Sequence, residues 1–210
     1  MTDKKILRKQ ILEQRGQIPA EIARAASDAI AKTLFSAPFY HSAESVFTYV
    51  SLANEPDTAP IIRRALADGK IVSLPRTKPG REMDVVPLES ESAFRQAFSD
   101  WPRVYGIPEQ PPEIPAIDPS KLDLVIVPSL VLDTDGYRLG YGGSYYDRFI
   151  ARFDIQKKDR PLFVAIQYDM FILDKEAFAR EPHDKSVDLI ITEKRVIRPP
   201  LAEDHKTLSP

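Results

Sequence analysis

The sequence predicts an α/β fold in three layers, a mostly parallel open sheet with helices on both faces, preceded by an N-terminal helical pair. Three observations predict it. Short apolar, β-branched runs alternate with helix-patterned segments, as parallel strands joined by crossover helices require. Leu122 to Pro128 (LDLVIVP) is apolar without a polar alternation, the pattern of a strand buried on both faces. The 210 residues are 43% hydrophobic, enough for one substantial core, so a single domain over residues 1–210 is expected.

Asp3 to Arg15 places Ile6, Leu7 and Ile11 at helical spacing, with Thr2 or Asp3 as cap, until Gly16 and Pro19 interrupt it. A second helix is predicted over Ala20 to Phe35, where Ile22, Ala26, Ala29, Ile30 and Leu34 share a face and Pro38 lies just beyond. Ser45 to Ser51 reads as a strand. Thr58 then caps a helix running through Ala67 to Gly69, and Ile71 to Pro75 is a second strand, completing a β-α-β unit. Met83 to Leu88 reads as a short strand or simply a loop. Pro108, Pro111, Pro112, Pro115 and Pro119 fix an extended surface connection. Leu122 to Pro128 is the central strand, followed by a glycine-rich loop and a helix over Tyr145 to Phe153. Leu162 to Gln167 and Val187 to Thr192 supply two further strands, giving a Rossmann-like order of layers without internal repeats.

Composition excludes several classes. With 29 basic and 31 acidic side chains there is no net positive field to gather nucleic acid or anionic lipid. The chain has no cysteine, so disulfides, thiolate metal sites and a cysteine nucleophile are ruled out. Met1 to Arg15 is charged and lacks the apolar core of a signal peptide. No run approaches the ~20 apolar residues of a membrane span, so the cytoplasm is the expected compartment and no membrane partner is expected. His41, His183 and His205 are isolated and fall in no metal-binding pattern, and none is assigned a catalytic role.

The chemistry concentrates in Asp133 to Arg148 (DTDGYRLGYGGSYYDR), where Gly136, Gly140, Gly142 and Gly143 lie between a strand and a helix. Such a loop can turn backbone N–H groups toward a phosphate, Arg138 can pair with phosphate oxygens, and Asp147 can hold Mg²⁺. Glycines alone would equally suit an ordinary tight connection. No Gly-Lys-Ser/Thr occurs here and the glycine spacing is not GxGxxG, so a different nucleotide loop is required.

Arg138-Leu139-Gly140-Tyr141-Gly142-Gly143-Ser144-Tyr145-Tyr146-Asp147-Arg148 resembles the RLGxGxGYYDR signature of the 5-formyltetrahydrofolate cyclo-ligase family. The resemblance extends over nearly the whole chain and implies a small enzyme that uses Mg-ATP to convert 5-formyltetrahydrofolate, in its polyglutamylated forms as well, into 5,10-methenyltetrahydrofolate, as a monomer or weak homo-oligomer. It assigns ATP to residues 138–146, with Arg138, Tyr145 and Tyr146 at the chemistry. Lys4 and Arg8 match the family's phosphate-reaching lysine and arginine and lie one helical turn apart, although such a pair alone would be an ordinary solvated face. Tyr49-Val50-Ser51 and Asn54 to Thr58 are similar to the folate-contacting segment, with Val50 at the substrate and Glu55 accepting from the pterin. Tyr105-Gly106-Ile107-Pro108 is similar to an aromatic segment near the pterin or its benzoyl tail, making Tyr105 a third substrate contact. Pro182-His183-Asp184 with Val187-Asp188 and Ile191-Thr192-Glu193 is similar to the family's HD…VD…TE stretch, which makes Asp184 a second magnesium ligand beside Asp147.

Two positions depart from the family pattern: Ser144 stands where a third loop glycine is usual, and a glutamine after the late strand is replaced near Phe171. A positive φ at Ser144 would cost about 1 kcal/mol. Both keep open the alternative of a non-catalytic relative that binds nucleotide or folate. A third reading, a nucleic-acid module built on the basic helix Lys4 to Arg15, lacks interleaved aromatics.

Overall fold

The computed structural model describes residues 3–153 and 160–200; Thr2 and His205 lie outside them. Asp3 opens α1 (Lys4–Gly16), its carboxylate accepting from the amides of Lys5 and Ile6 and so satisfying donors that a helix start leaves open. Then comes α2 (Ala20–Ser36), burying Ile30, Ala31 and Leu34. The sequence pattern does not announce α3 (Pro38–Ser42): Pro38 does not merely follow α2 but starts a new turn, where its fixed φ suits a first helical position.

The first strand, β1 (Ser45–Phe47), stops short of the predicted Ser51. Beyond it the backbone serves Thr58 instead, whose hydroxyl donates to the Tyr49 carbonyl and accepts from the Ser51 amide. The same bonds correct the expected cap: at α4 (Ala59–Ala67) the Asp57 carboxylate, not the Thr58 hydroxyl, accepts from Ala59 N at 2.9 Å. Next, β2 (Ile71–Lys78) and β3 (Glu82–Pro87) form an antiparallel hairpin, so Met83 to Pro87 is strand and not loop. Between it and the proline-rich connection lie α5 (Glu91–Gln96) and a small hairpin of β4 (Arg103–Val104) and β5 (Ile107–Pro108).

The remaining elements are β6 (Leu124–Val127), β7 (Val131–Asp133), β8 (Arg138–Leu139), α6 (Tyr145–Ile150), β9 (Leu162–Ile166), β10 (Ile172–Leu173), β11 (Leu189–Ile191) and β12 (Val196–Ile197). Among the described residues, the main sheet runs β12-β11-β9-β6-β1-β2-β3, parallel at its five inner strands and antiparallel at both edges. Alternate residues divide between two cores. Val46, Leu124, Ile126, Val164 and Ile191 pack with Leu7 and Ile11 of α1, Leu34 of α2 and Ile62 of α4. Phe47, Val125, Val127, Phe163 and Ile190 pack with Phe149 and Ile150 of α6. The three predicted layers are therefore present. A second sheet, β10-β7-β8, continues beyond the carboxyl ends of β6 and β9, where ligands of open parallel sheets bind. No helix among the described residues is long and apolar enough to cross a membrane.

Candidate functional site

Arg138 and Leu139 do not belong to the loop, as the sequence suggested, but to β8, paired with β7. The strand fixes Arg138 at 7% exposure, its guanidinium donating to Asp147 Oδ1 at 2.9 Å and to the Lys185 carbonyl at 2.7 Å. Asp147 Oδ1 also accepts from Lys185 N at 3.0 Å, so α6 and the segment before β11 are tied together through one carboxylate. Burial pulls the Arg138 pKa down, opposed by the negative charges of Asp147 and Asp184 around it. Both proposed metal carboxylates thus face the same guanidinium.

Lys4, from the first turn of α1, reaches Asp184 Oδ2 at 2.8 Å and Glu181 Oε1 at 3.0 Å. Burial works against its charge, yet these two partners hold its pKa above the ordinary lysine value. One turn on, Arg8 Nε donates to the Gly140 carbonyl at 2.9 Å, so α1 touches the glycine loop directly. His183 is exposed beside Glu181 and Asp184, at 3.6 and 3.8 Å.

The loop from Gly140 to Ser144 is shaped by its backbone. Gly142 has φ 102°, and a Cβ at Gly143 would meet the Tyr145 ring at 2.7 Å, so a side chain at either position is opposed by strain or by contact. Ser144, the N-cap of α6, has φ 52° and ψ 23°, left-handed backbone that glycine adopts freely and serine does not; its side chain makes no capping bond. Tyr141 is half exposed and crosses to the other half of the site, its hydroxyl donating to Glu55 Oε1 at 3.0 Å.

Glu55 is only 6% exposed; its second oxygen accepts from Leu52 N at 2.9 Å and its carbonyl accepts from the Tyr168 hydroxyl at 3.1 Å. Burial pushes its carboxyl pKa up, while the Leu52 amide, the Tyr141 hydroxyl and the charge of Arg15 pull it back. The Tyr146 hydroxyl is buried without a hydrogen-bond partner and is within electrostatic reach of both Glu55 and Arg138; burial raises its pKa. A buried orphan hydroxyl near both groups leaves hydrogen-bonding capacity that a ligand or a water could take up. Val50 is buried in the core, which leaves its backbone for any ligand contact. Leu139 is likewise buried. Tyr105 is 80% exposed at the tip of the β4–β5 hairpin, with φ 52°, and its hydroxyl lies beside that of Tyr145, which raises the Tyr145 pKa after partial burial does.

The fold therefore gathers Lys4, Arg8, Arg138, residues 139–146, Asp147 and Asp184 on one side and Glu55 on the other, joined through Tyr141. Sequence reasoning missed Arg15 and Gln167. Arg15 follows Lys4 by 11 residues, about 20° off its face at 100° per residue, a signal that was available. Gln167 donates to Ser129 and to the Leu130 carbonyl from the end of β9. Phe171, expected to alter the site, is wholly buried beneath the Arg15 guanidinium, 5.2 Å from its ring centre.

Cations from an added N-terminal helix, a glycine loop and two mostly buried carboxylates gather outside an open parallel sheet, and they define an α/β protein whose polar side chains collect at the carboxyl end of its strands. Comparison with known proteins makes this specific. The model of the 5-formyltetrahydrofolate cyclo-ligase family matches residues 1–193, and the chain belongs to that family. It is 26% identical over 209 residues to the mitochondrial 5-formyltetrahydrofolate cyclo-ligase of Arabidopsis thaliana, covering 92% of this chain and 75% of the relative. With the 5-formyltetrahydrofolate cyclo-ligase of Mycolicibacterium smegmatis it shares 27% identity, over 91% of this chain and 94% of the other. The solution structure of Aquifex aeolicus 5,10-methenyltetrahydrofolate synthetase superposes with a TM-score of 0.76 at 28% identity, covering 98% of this chain and 96% of that one. The Mycoplasma pneumoniae 5,10-methenyltetrahydrofolate synthetase shares the fold, with a TM-score of 0.69 at 21% identity over 91% and 99% of the two chains.

Proposed function

We propose that this chain catalyses the ATP-dependent conversion of 5-formyltetrahydrofolate to 5,10-methenyltetrahydrofolate, releasing ADP and phosphate. The observation that carries the reading is the Tyr141 hydroxyl on Glu55: a single loop joins the phosphate-facing cations to the one buried carboxylate suited to a pterin.

In this reading the formyl oxygen attacks the γ-phosphate, ADP leaves, and N10 closes the ring on the activated carbon while phosphate departs with the oxygen and N10 gives up its proton. The demand on the protein is positioning and charge stabilisation, with no covalent enzyme intermediate. Lys4, Arg8 and Arg138 supply positive charge for the transferring phosphoryl group, and the amides of residues 139–144 supply oriented dipoles. Tyr145 and the orphan Tyr146 hydroxyl stand between the subsites, where they can donate to the formyl or phosphoryl oxygen. Glu55 accepts from pterin N–H groups, the Val50 backbone lines that pocket, and the exposed Tyr105 ring covers the benzoyl portion.

Mg²⁺ suits Asp147 and Asp184: both are carboxylates, both are mostly buried, and both lie around Arg138, with phosphate oxygens and water completing an oxygen shell. When bound, the ion would neutralise charge on the ATP phosphates. Lys4 pairs with Asp184 and Arg138 with Asp147, so an ion held by these carboxylates would lie beside two of the cations assigned to phosphate. Incubation with 5-formyltetrahydrofolate and Mg-ATP, followed by the near-ultraviolet band of the methenyl product, tests the reading. Binding of both ligands without turnover would instead select the non-catalytic relative, which the left-handed Ser144 favours.

A further inference from the structure

Among the buried charges that the proposed chemistry leaves unused, Arg15 stands nearest the Glu55 turn. Arg15, in the last turn of α1, is 1% exposed. Its guanidinium donates to the carbonyls of Ser129 at 2.6 Å and Leu130 at 2.8 Å, reaches the Asn54 carbonyl at 3.4 Å, and lies over the Phe171 ring. Its Nε is buried with no hydrogen-bond partner. Among the described residues no carboxylate stands within ion-pair distance of it; carbonyl dipoles, a ring face and the Tyr141 hydroxyl surround it. A buried cation without a contact ion pair is costly, and a fold that needed only packing at this place would be served by an apolar side chain.

The Asn54 carbonyl it touches belongs to the turn that presents Glu55, and Gln167 binds the Ser129 and Leu130 carbonyls from the opposite side. Several titratable groups face Glu55: Tyr141 from the glycine loop, Tyr146 from α6, Tyr49 after β1, Tyr168 after β9, Arg15 from α1, and the exposed Asp57 on its own turn. All four tyrosines have pKa values pushed up by burial and are neutral near pH 7, so Arg15 is the cation of the set.

We infer that Arg15 is a positioning residue for the folate subsite: its carbonyl bonds hold the 52–55 turn, and Glu55 with it, against residues 129–130. The inference rests on the reading that Glu55 accepts from the pterin. It makes α1 a single strut serving both substrates, with Lys4 and Arg8 at the phosphates and Arg15 behind the turn that carries Glu55.

The test compares Arg15→Gln, Arg15→Lys and Glu55→Gln, measuring KM for 5-formyltetrahydrofolate and for ATP, and kcat/KM for the folate against pH. Arg15→Gln is expected to raise the folate KM about tenfold while the ATP KM stays within about twofold. The acid limb of the folate profile should move up, because losing the cation makes Glu55 easier to protonate. Arg15→Lys should leave that limb where it is, since the charge survives although the forked bonds do not. Equal losses for both substrates with an unmoved limb in both variants would reduce Arg15 to a structural role and overturn the inference. An unchanged folate KM in Glu55→Gln would remove the Glu55 reading itself, and the inference with it. Should Arg15→Gln not fold, Arg15→Lys decides, since it loses the forked carbonyl bonds: a folate KM raised with the ATP KM unchanged supports the inference, and both raised alike overturn it.

Discussion

Ser144 is a residue whose conformation and identity disagree. Its φ of 52° costs a serine about 1 kcal/mol relative to glycine, so Ser144→Gly is expected to raise the melting temperature by about 2–4 °C in calorimetry. If ATP KM falls as well, the serine merely strains the loop; if it rises, the hydroxyl binds ligand. In the proposed reading Arg138 serves ATP and Glu55 serves the folate. Arg138→Ala should impair ATP use far more than folate binding and cost about 3 kcal/mol of stability, because Asp147 and the Lys185 carbonyl lose a buried partner. Glu55→Ala should chiefly raise the folate KM, and equal effects on both substrates in these two variants would contradict the assignment. The raised pKa of Glu55 also has a stability consequence. Protonated Glu55 suits its buried site, so its contribution is fully present below the unfolded carboxylate pKa and is lost as pH rises through the folded value. Glu55→Gln should therefore gain in melting temperature relative to the parent between pH 4 and pH 8; a constant difference would contradict the burial argument. At this scale the residues alone said little of Lys4 and Arg8, which read as an ordinary solvated face until the family resemblance singled them out. The sequence was silent where burial decides, as with Arg15, whose charge reads as surface until the fold encloses it.

Elements were legible in proportion to their length. α1, α2 and α4 carry several apolar residues on one face and ended within a residue or two of their predicted limits. β7, β8 and β10 span two or three residues each, too few for any period to show, and so Arg138 and Leu139 read as loop although they are paired strand. The Thr58 cap failed because its hydroxyl had a stronger use, bridging Tyr49 and Ser51, which no local pattern reveals. The β4–β5 hairpin offers an element-scale test. Its turn residues Tyr105 and Gly106 have φ of 52° and 83°, a conformation that Asn-Gly adopts more readily than Tyr-Gly. Tyr105→Asn should leave the melting temperature equal or slightly higher while the folate KM rises several-fold; an unchanged KM would remove Tyr105 from the substrate.

For the molecule as a whole, the layer order was readable because the inner strands are almost continuously apolar and must be covered on both faces. The two edge reversals at β3 and β12 were not, since strand direction at an edge depends on which neighbour the chain meets. The same layering explains how a chain without cysteine can support the proposed phosphoryl transfer: it brings a cationic helix, a glycine loop and a buried carboxylate to one end of the sheet. Purified protein mixed with 5-formyltetrahydrofolate and Mg-ATP, with controls lacking ATP or protein, tests this most directly. Growth of the near-ultraviolet methenyl band only when ATP and protein are both present is the predicted result; no growth from protein shown by circular dichroism to be folded would contradict the assigned activity.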